Sequence, residues 1–545
     1  MTASEAPTVT EPEDVAWGAF SSDAPWVLSP DQLGWQRGVA AERKRITRSL
    51  PELTRRRLLP PGRRIGRTVR LLGPTLATWY FGARRAGGGR SRADIAHRLR
   101  VAAEGLGPTY IKLGQIISSG QGLFPSELVD EFVKLRDRVP PEPFAQVRQV
   151  VEEDLGKPLH EVFATFERQP LAAASIAQVH AATLHTGERV VVKVQRAQVY
   201  QRVHQDLRVM AWVAPFLVGR IPVAALANPP ALVDLFAETI TEELDFRLEA
   251  DNMLAVARSF AGLGQRGYVI PRPHPTLVTP RVLVMERLDG FAFDDVVGMH
   301  AAGIDTAAVV RTGMIGFLEG CMLNGIFHGD LHGGNLLVLP DGRTGLLDFG
   351  ITGRLPEHQR LAFLRLLVGA SMNDVVTQLG ALRDLGALPP DADLPRIIAD
   401  LGLDRPPVDP TTLTAEELTG EIQRIMKALL GYGARLPKPL MLFVKNLVFL
   451  DGAIATLAPD LDLFAEITEI ATYFTLRHGN RIADEVGMAA NQWDLDLDGM
   501  KGSFGVDTSS VDALTHRQLQ ERRRIVAERL EGRPSRRGLL RRRRR

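Results

Sequence analysis

The sequence predicts an α+β fold of two lobes, a small β-rich lobe followed by a larger helical one, with a helical extension ahead of both. Three observations predict it. From Ser91 to Leu155 apolar residues recur at three- and four-residue spacing, as in Ile95, Leu99 and Val101 and again in Leu128, Phe132 and Leu135, the signal of amphipathic helices. Near Phe163 the pattern changes to short β-branched runs, Val190-Val191-Val192 and Val282-Leu283-Val284, with turn signals at Thr186-Gly187 and Asp289-Gly290. After Leu288 the helical period returns, broken only between Phe327 and Gly350, where two apolar runs flank the turn Pro340-Asp341-Gly342.

Composition divides the rest. Domains run to roughly 100–200 residues, so a chain of 545 holds two or three compact units with tails. At 45% hydrophobic and 24% charged residues, global disorder is excluded. Residues 1–35, rich in Asp, Glu, Pro and Ser, read as a disordered acidic arm. Residues 36–95 form a basic segment in which only Glu42, Glu52 and Asp94 oppose many arginines and lysines, and a local basic surface is expected. The helical extension then spans 96–162, the β-rich lobe 163–288 and the helical lobe 289–480. Residues 481–545 hold a charged helix from Arg517 to Leu530 and an arginine run, Arg541 to Arg545, that repels itself and stays solvated.

The single cysteine, Cys321, lies in an apolar run and excludes an intramolecular disulfide framework, in keeping with a reducing compartment. The first twenty residues carry Glu5, Glu11, Glu13 and Asp14 and lack the apolar core of a signal peptide. No stretch reaches the roughly 18 consecutive apolar residues of a membrane span, Leu440 to Leu457 being interrupted by Lys445 and Asp451. The expected address is therefore cytoplasmic, with any membrane contact peripheral. With six Trp and six Tyr in the chain, aromatic stacking platforms are sparse, and nucleic acid is not an expected partner.

The strongest chemical pattern is His328-Gly329-Asp330-Leu331-His332-Gly333-Gly334-Asn335, followed by Asp348-Phe349-Gly350. Phosphoryl transfer needs a carboxylate to orient or deprotonate the nucleophile and hard oxygen ligands for Mg²⁺. H-x-D-x-x-x-x-N, a hairpin and then D-F-G is the order of a kinase catalytic loop and metal-binding loop, so Asp330 fills the first role and Asn335 and Asp348 the second. His332 reads as a capping or packing residue.

Upstream, Val190-Val191-Val192-Lys193-Val194 sets a lysine in a β-run, as the V-A-I-K pattern does. Among buried residues its ammonium needs anions, here nucleotide phosphates and a helix carboxylate; on an edge strand it would face water instead. A helix over Thr241 to Asn252 offers Glu242, Glu243, Asp245 and Glu249, with Glu242, Asp245 and Glu249 on one face, and spacing alone assigns none of them to Lys193. Where a kinase carries a glycine-rich phosphate loop this chain has Ala172-Ala173-Ala174-Ser175, which permits close backbone approach but takes φ > 0 less cheaply.

These residues resemble the UbiB/AarF-type atypical kinase family, protein-kinase-like proteins tied to coenzyme Q biosynthesis. The likeness covers about Ala96 to Arg477 and rests on Lys112-Leu113-Gly114-Gln115, similar to the family's K-x-G-Q signature, on the alanine loop, and on Glu243-Leu244-Asp245, similar to its E-x-D signature. It implies a protein-kinase-like two-lobed fold whose K-x-G-Q helices cover the nucleotide site, with Lys112 and Gln115 near Glu243 and Asp245 and with Glu249 as the partner of Lys193. It also implies ATP or ADP with Mg²⁺ as cofactors, and a nucleotide-binding set of Ala172, Ala173, Ala174, Ser175, Lys193 and Glu286. Two departures stand out: His332-Gly333-Gly334-Asn335 takes the place of H-P-G-N, and a charged helix takes the place of C-terminal membrane spans.

No A-P-E motif follows Gly350, so there is little room for a peptide-binding activation segment. The expected function is that of an ATP-binding, Mg²⁺-dependent atypical kinase or ATPase in isoprenoid-quinone or other lipid metabolism, with Lys193, Glu249 and Asp330 catalytic. The alternative is a nucleotide-binding pseudokinase serving as a regulatory, lipid-binding or partner-binding module. Arg63 to Arg70, mixed with Leu71, Leu72, Trp79 and Phe81, reads as a surface for an isoprenoid lipid or an anionic membrane, limited by Pro74, which is expected to break a long helix.

Overall fold

The computed structural model describes residues 20–21, 25–26, 28, 32–55, 64–82, 88–118, 126–135, 140–217, 229–404, 410–414, 417, 421, 424–425, 428, 431–434, 437–488, 495–503 and 513–531. Most of the acidic arm, Arg63, and the arginines at 536, 537 and 541–545 lie outside the described residues. In chain order come α1 (Val39–Leu53), α2 (Arg64–Phe81), α3 (Gly88–Leu106), α4 (Pro108–Ser118), α5 (Ser126–Phe132), α6 (Phe144–Leu155) and α7 (Leu159–Val162). Then follow β1 (Phe163–Phe166), β2 (Ala172–Ala173), β3 (Ala177–Leu184), β4 (Arg189–Gln195), α8 (Val199–Leu217), α9 (Pro229–Glu242), α10 (Phe246–Leu263), β5 (Tyr268–Val269), β6 (Pro273–Val278) and β7 (Val282–Glu286). After them lie β8 (Phe291–Ala292), α11 (Val296–Ala301), α12 (Thr306–Glu319), β9 (Ile326–His328), β10 (Leu336–Val338), β11 (Thr344–Leu346), β12 (Thr352–Arg354), α13 (Glu357–Ser371), α14 (Val375–Asp384), α15 (Leu394–Leu401), α16 (Lys438–Leu457), α17 (Leu463–Val486), α18 (Leu497–Ser503) and α19 (His516–Glu531).

The chain divides into two compact units, the first made of Met1–Gly290, His328–Leu339 and Gly345–Thr352, the second of Phe291–Phe327, Pro340–Thr344 and Gly353–Arg545. In the first, an antiparallel sheet runs β1-β3-β4-β7-β6 with β2 paired to β3. Alternation along β4 turns Val190, Val192 and Val194 onto one face, where they pack with Val147, Val150 and Val151 of α6. Lys193 therefore belongs to the opposite face, on the central strand, opposite Val179 of β3 and Leu283 of β7.

Two expectations change in this unit, the arm and Pro74. The arm reaches the sheet at its C-terminal end: Phe20 and Leu28 are buried, and the Trp26 indole N–H donates to the Pro273 carbonyl at 3.0 Å. Aromatic anchors thus override a composition that otherwise reads as solvated. Within the basic segment Arg43 pairs with Asp251 at 3.2 Å, Arg92 with Glu127 at 2.8 Å and Arg64 with the buried Asp206, while Arg67 and Arg70 stay exposed, so part of its charge is matched and part faces solvent. Pro74 does not end α2, which continues to Phe81. Beyond the proline Trp79 is buried, its indole N–H donating to the Ser91 carbonyl at 3.1 Å, and this tertiary anchoring outweighs the helix-breaking tendency.

The second unit is mainly helical. Two of its helical segments, Thr306–Asn324 and Lys438–Leu457, are long and apolar enough to cross a membrane by length and composition alone, the latter with Lys445 and Asp451 inside it. Asp451 is matched by His516 at 3.1 Å and Arg523 at 2.6 Å, both on α19. The same two segments pack as core: Phe317 stacks on Phe443 with ring centroids 5.3 Å apart, and Phe363 of α13 lies 5.1 Å from Phe443. Cys321 is fully buried in the turn that extends α12.

Candidate active site

The Lys193 ammonium donates to Glu249 Oε1 at 2.7 Å, to Glu249 Oε2 at 3.0 Å and to Asp348 Oδ2 at 2.9 Å, with the Phe246 ring 5.5 Å away. Its central strand and these partners remove the alternative of an edge lysine facing water. Glu249 is available because a new helix starts just before it. Asp245 caps α10, accepting from the Arg247 N–H at 3.0 Å, while the Phe246 N–H reaches the Pro280 carbonyl. The continuous helix expected over Thr241 to Asn252 is therefore two helices: Glu242 ends α9, Glu243 sits in the turn, and only Glu249 faces Lys193. Asp245 pairs instead with Arg247 at 2.6 Å.

Glu243, also buried, meets Lys112 of α4 at 3.1 Å. Gln115 is half-buried one turn further along that helix. Between them Gly114 makes room: a Cβ there would lie 2.3 Å from Leu135 Cδ1 and 2.6 Å from Phe132 Cδ1.

The loops after β9 and β11 complete the cluster. His328 Nδ1 accepts from the Asp330 N–H at 3.1 Å and its Nε2 donates to the Asp348 carbonyl, so the ring is the neutral Nε2–H tautomer; burial holds its pKa low. Asn335 Nδ2 donates to the Asp330 carbonyl at 3.0 Å, which leaves Oδ1 as the oxygen it can offer to a cation. The Gly350 N–H donates to Asp348 Oδ1 at 2.9 Å, and Asn252, one turn after Glu249 on α10, donates to the Phe349 carbonyl at 2.9 Å. His332 caps its own turn, accepting from the Gly334 N–H at 3.1 Å. His328, the first residue of the H-x-D motif, and Asn252, which no motif singles out, are positioning residues; the helical spacing of Asn252 from Glu249 is its available signal.

The alanine loop behaves as small residues allow. Ala172 and Ala173 form β2 against Val179 and Gln178, the Ala174 N–H donates to the Ala177 carbonyl at 2.9 Å, and Ser175 is buried. Asn373 is the one non-glycine residue with positive φ among the described residues, so the loop uses no left-handed backbone. Glu286 is not brought into the cluster: its carboxylate accepts from the Arg272 N–H at 3.1 Å and from the Ser21 hydroxyl, so its side chain anchors β6 and the arm.

Two ammonium groups, Lys112 and Lys193, thus face four carboxylates, Glu243, Glu249, Asp330 and Asp348. Burial works against the charge on Lys193, but Asp348 and Glu249 outweigh it and raise its pKa. Burial also opposes charge on Asp348, yet Lys193, Lys112 and the Gly350 N–H hold that carboxyl below its usual range. Glu249 carries the opposite imbalance, pushed up to about 7 by burial and by the Asp348 charge, against the pull of Lys193. Burial likewise raises Glu243, with Lys112 opposing it. Excess negative charge of this kind suits a divalent cation. Among the described residues no three His, Cys, Asp or Glu side chains form a ready-made metal cluster; Asp348 and the Asn335 amide oxygen are the groups that could offer oxygens to a cation.

An ABC1 atypical kinase-like domain matches residues 134–378. Over 385 residues the chain is 36% identical to an uncharacterized protein of Mycobacterium tuberculosis, covering 68% of this chain and 76% of that one. It is 33% identical to the probable protein kinase UbiB of Marinobacter nauticus, over 69% of this chain and 68% of that one. It is 32% identical to the chloroplastic protein ACTIVITY OF BC1 COMPLEX KINASE 1 of Arabidopsis thaliana, over 67% of this chain and 53% of that one.

Proposed function

Since the chain belongs to the ABC1 atypical kinase-like family, with UbiB among its relatives, we propose that the cluster around Lys193 and Asp348 binds ATP with Mg²⁺ and transfers or hydrolyses its terminal phosphoryl group within a two-lobed kinase-like arrangement. The observation that carries this reading is the buried Lys193 held jointly by Glu249 and Asp348 in a cluster with more carboxylates than ammonium groups. Lys193 binds the phosphates and Glu249 orients it. Asp348 and the amide oxygen of Asn335 hold the metal. Asp330 orients the attacking hydroxyl or water, and His328 fixes the backbone of both loops. A Mg²⁺ held by Asp348 and Asn335 would supply positive charge to the phosphate oxygens.

The acceptor in this reading is water or a small lipid-like alcohol or phenol, in the setting of isoprenoid-quinone or other lipid metabolism. Only Leu355 and Pro356 separate β12 from α13, which favours a small acceptor over a docked peptide. ATP hydrolysis by the purified protein with Mg²⁺, with and without lipid, tests the enzyme reading against Asp348→Asn. Equal rates in both forms would remove it and leave a nucleotide-binding pseudokinase.

A further inference from the structure

Helices of the first unit line a partly open apolar chamber of about 180 Å³, whose wall includes Leu99 of α3, Leu113 and Ile117 of α4, Phe132 of α5, Met210 of α8 and Leu232 of α9. Between α2 and α8 lies a groove of about 720 Å³, within the roughly 300–1,000 Å³ of small-molecule sites. Thr68, Leu72, Val213 and Leu217 line both, so chamber and groove adjoin. Polar groups in the wall satisfy each other: the Thr68 and Tyr110 hydroxyls are hydrogen-bonded at 3.4 Å. Dry cavities of roughly 150 Å³ lined by such side chains exclude water and take up apolar molecules.

The groove stays apolar where it meets solvent. Tyr80, Phe81 and Phe216 are 52%, 69% and 43% exposed there. On the first turns of α2, Arg70 stands exposed next to Val69, a groove residue, and supplies positive charge beside an otherwise uncharged channel, while the Arg67 guanidinium donates to the Gly105 carbonyl at 2.7 Å.

We propose that the groove and the chamber beside it bind one hydrocarbon chain of an anionic amphiphile, the tail running along the α2–α8 groove towards the chamber and the acidic head lying near Arg70. An elongated, apolar, two-part space suits a flexible chain better than a ring or a polar cofactor, and the flanking Arg70 selects an anion over a neutral head. Leu113 and Ile117 in the wall share α4 with Lys112, so the site adjoins the Lys112–Glu243 pair by one helix. The inference does not rest on the nucleotide chemistry, and its readout is separate from it.

The test is titration of the full-length protein, without nucleotide, with cis-parinaric acid, a fatty acid whose fluorescence rises in dry surroundings. A saturable one-to-one enhancement displaced by palmitate is expected. Ala214→Trp, which fills the chamber, and Ala77→Glu, which sets a negative charge in the groove at an exposed position, should each weaken it at least tenfold. The surface variant keeps the result interpretable if the core variant misfolds. Arg70→Glu should weaken palmitate more than hexadecanol. Absence of saturable enhancement, or unchanged affinity in Ala77→Glu, overturns the proposal. So does enhancement seen only with vesicles, which assigns the face to a bilayer, or a dimer that excludes the probe, which assigns it to a second copy.

Discussion

Lys193 Nζ lies 2.9 Å from Asp348 Oδ2, so the ammonium offered to phosphates and the carboxylate offered to a cation neutralise each other directly. Glu249 holds the same ammonium from the other side at 2.7 Å. Lys193 thus keeps a partner if Asp348 is diverted to a metal, and the cluster can accept Mg²⁺ without stranding a buried charge.

Asp348→Asn should therefore fold normally and fail chemically. The amide keeps the volume and loses the hard anionic ligand, so Mg²⁺-dependent ATP hydrolysis should fall by at least about 100-fold. Nucleotide binding measured with a chelator present should be no weaker than in the native chain, because removing Asp348 removes repulsion towards phosphate. Retained hydrolysis would exclude Asp348 as a metal ligand.

Glu249 makes stability depend on pH in a window where ordinary carboxylates do not. Its folded pKa of about 7 exceeds the ordinary 4.5, so the folded protein binds a proton that the unfolded chain releases. The contribution is full below about pH 4.5 and is lost as pH rises through about 7. The nucleotide-free protein should lose up to about 3 kcal/mol across that window from this group. Urea midpoints of the native chain and Glu249→Gln, followed from pH 5 to 8, should diverge in slope; parallel curves would contradict the assignment.

The order of chemical residues is legible in the sequence because catalytic loops are local: Asp330, Asn335 and Asp348 are placed by one hairpin, and Lys193 by a run of valines whose alternation is explicit. Their partners are less legible, since the choice among Glu242, Glu243, Asp245 and Glu249 depends on where one helix stops. Asp245 as a cap and Arg247 beside it decide that, through a bond from the Phe246 N–H to Pro280, distant in sequence. Glu286 illustrates the same limit, its side chain being claimed by Arg272 and by Ser21, which lies 265 residues away. Pro74 and the arm at Phe20 depart from expectation for one reason: local propensity yields to burial of a large aromatic ring, Trp79 in one case and Phe20 in the other.

Lys112→Ala isolates Glu243. Glu243 is buried and already raised by that burial, so without Lys112 it must take a proton or remain an unpaired buried charge. The first course is cheap at low pH and dear at high pH. Destabilisation of about 3–5 kcal/mol is expected at pH 8.5 and clearly less at pH 5.5. Equal losses at the two pH values would mean that the pair at 3.1 Å contributes little.

Gly114 separates Lys112 from Gln115 and looks like part of a chemical signature, but its surroundings give it a packing role. A methyl group there would meet Leu135 Cδ1 at 2.3 Å and Phe132 Cδ1 at 2.6 Å, so Gly114→Ala must push α4 outward. Overpacking of this kind costs about 1–3 kcal/mol. Because Lys112 rides on the same helix, its reach to Glu243 should lengthen and nucleotide affinity should fall as well. Leu135→Ala opens space on the opposing side, so the double variant should be less destabilised than the sum of the two single variants by at least about 1 kcal/mol. Denaturation of the four proteins in the cycle measures this coupling. Additivity within about 0.5 kcal/mol would show that the glycine serves something other than the close approach of α4 to Leu135.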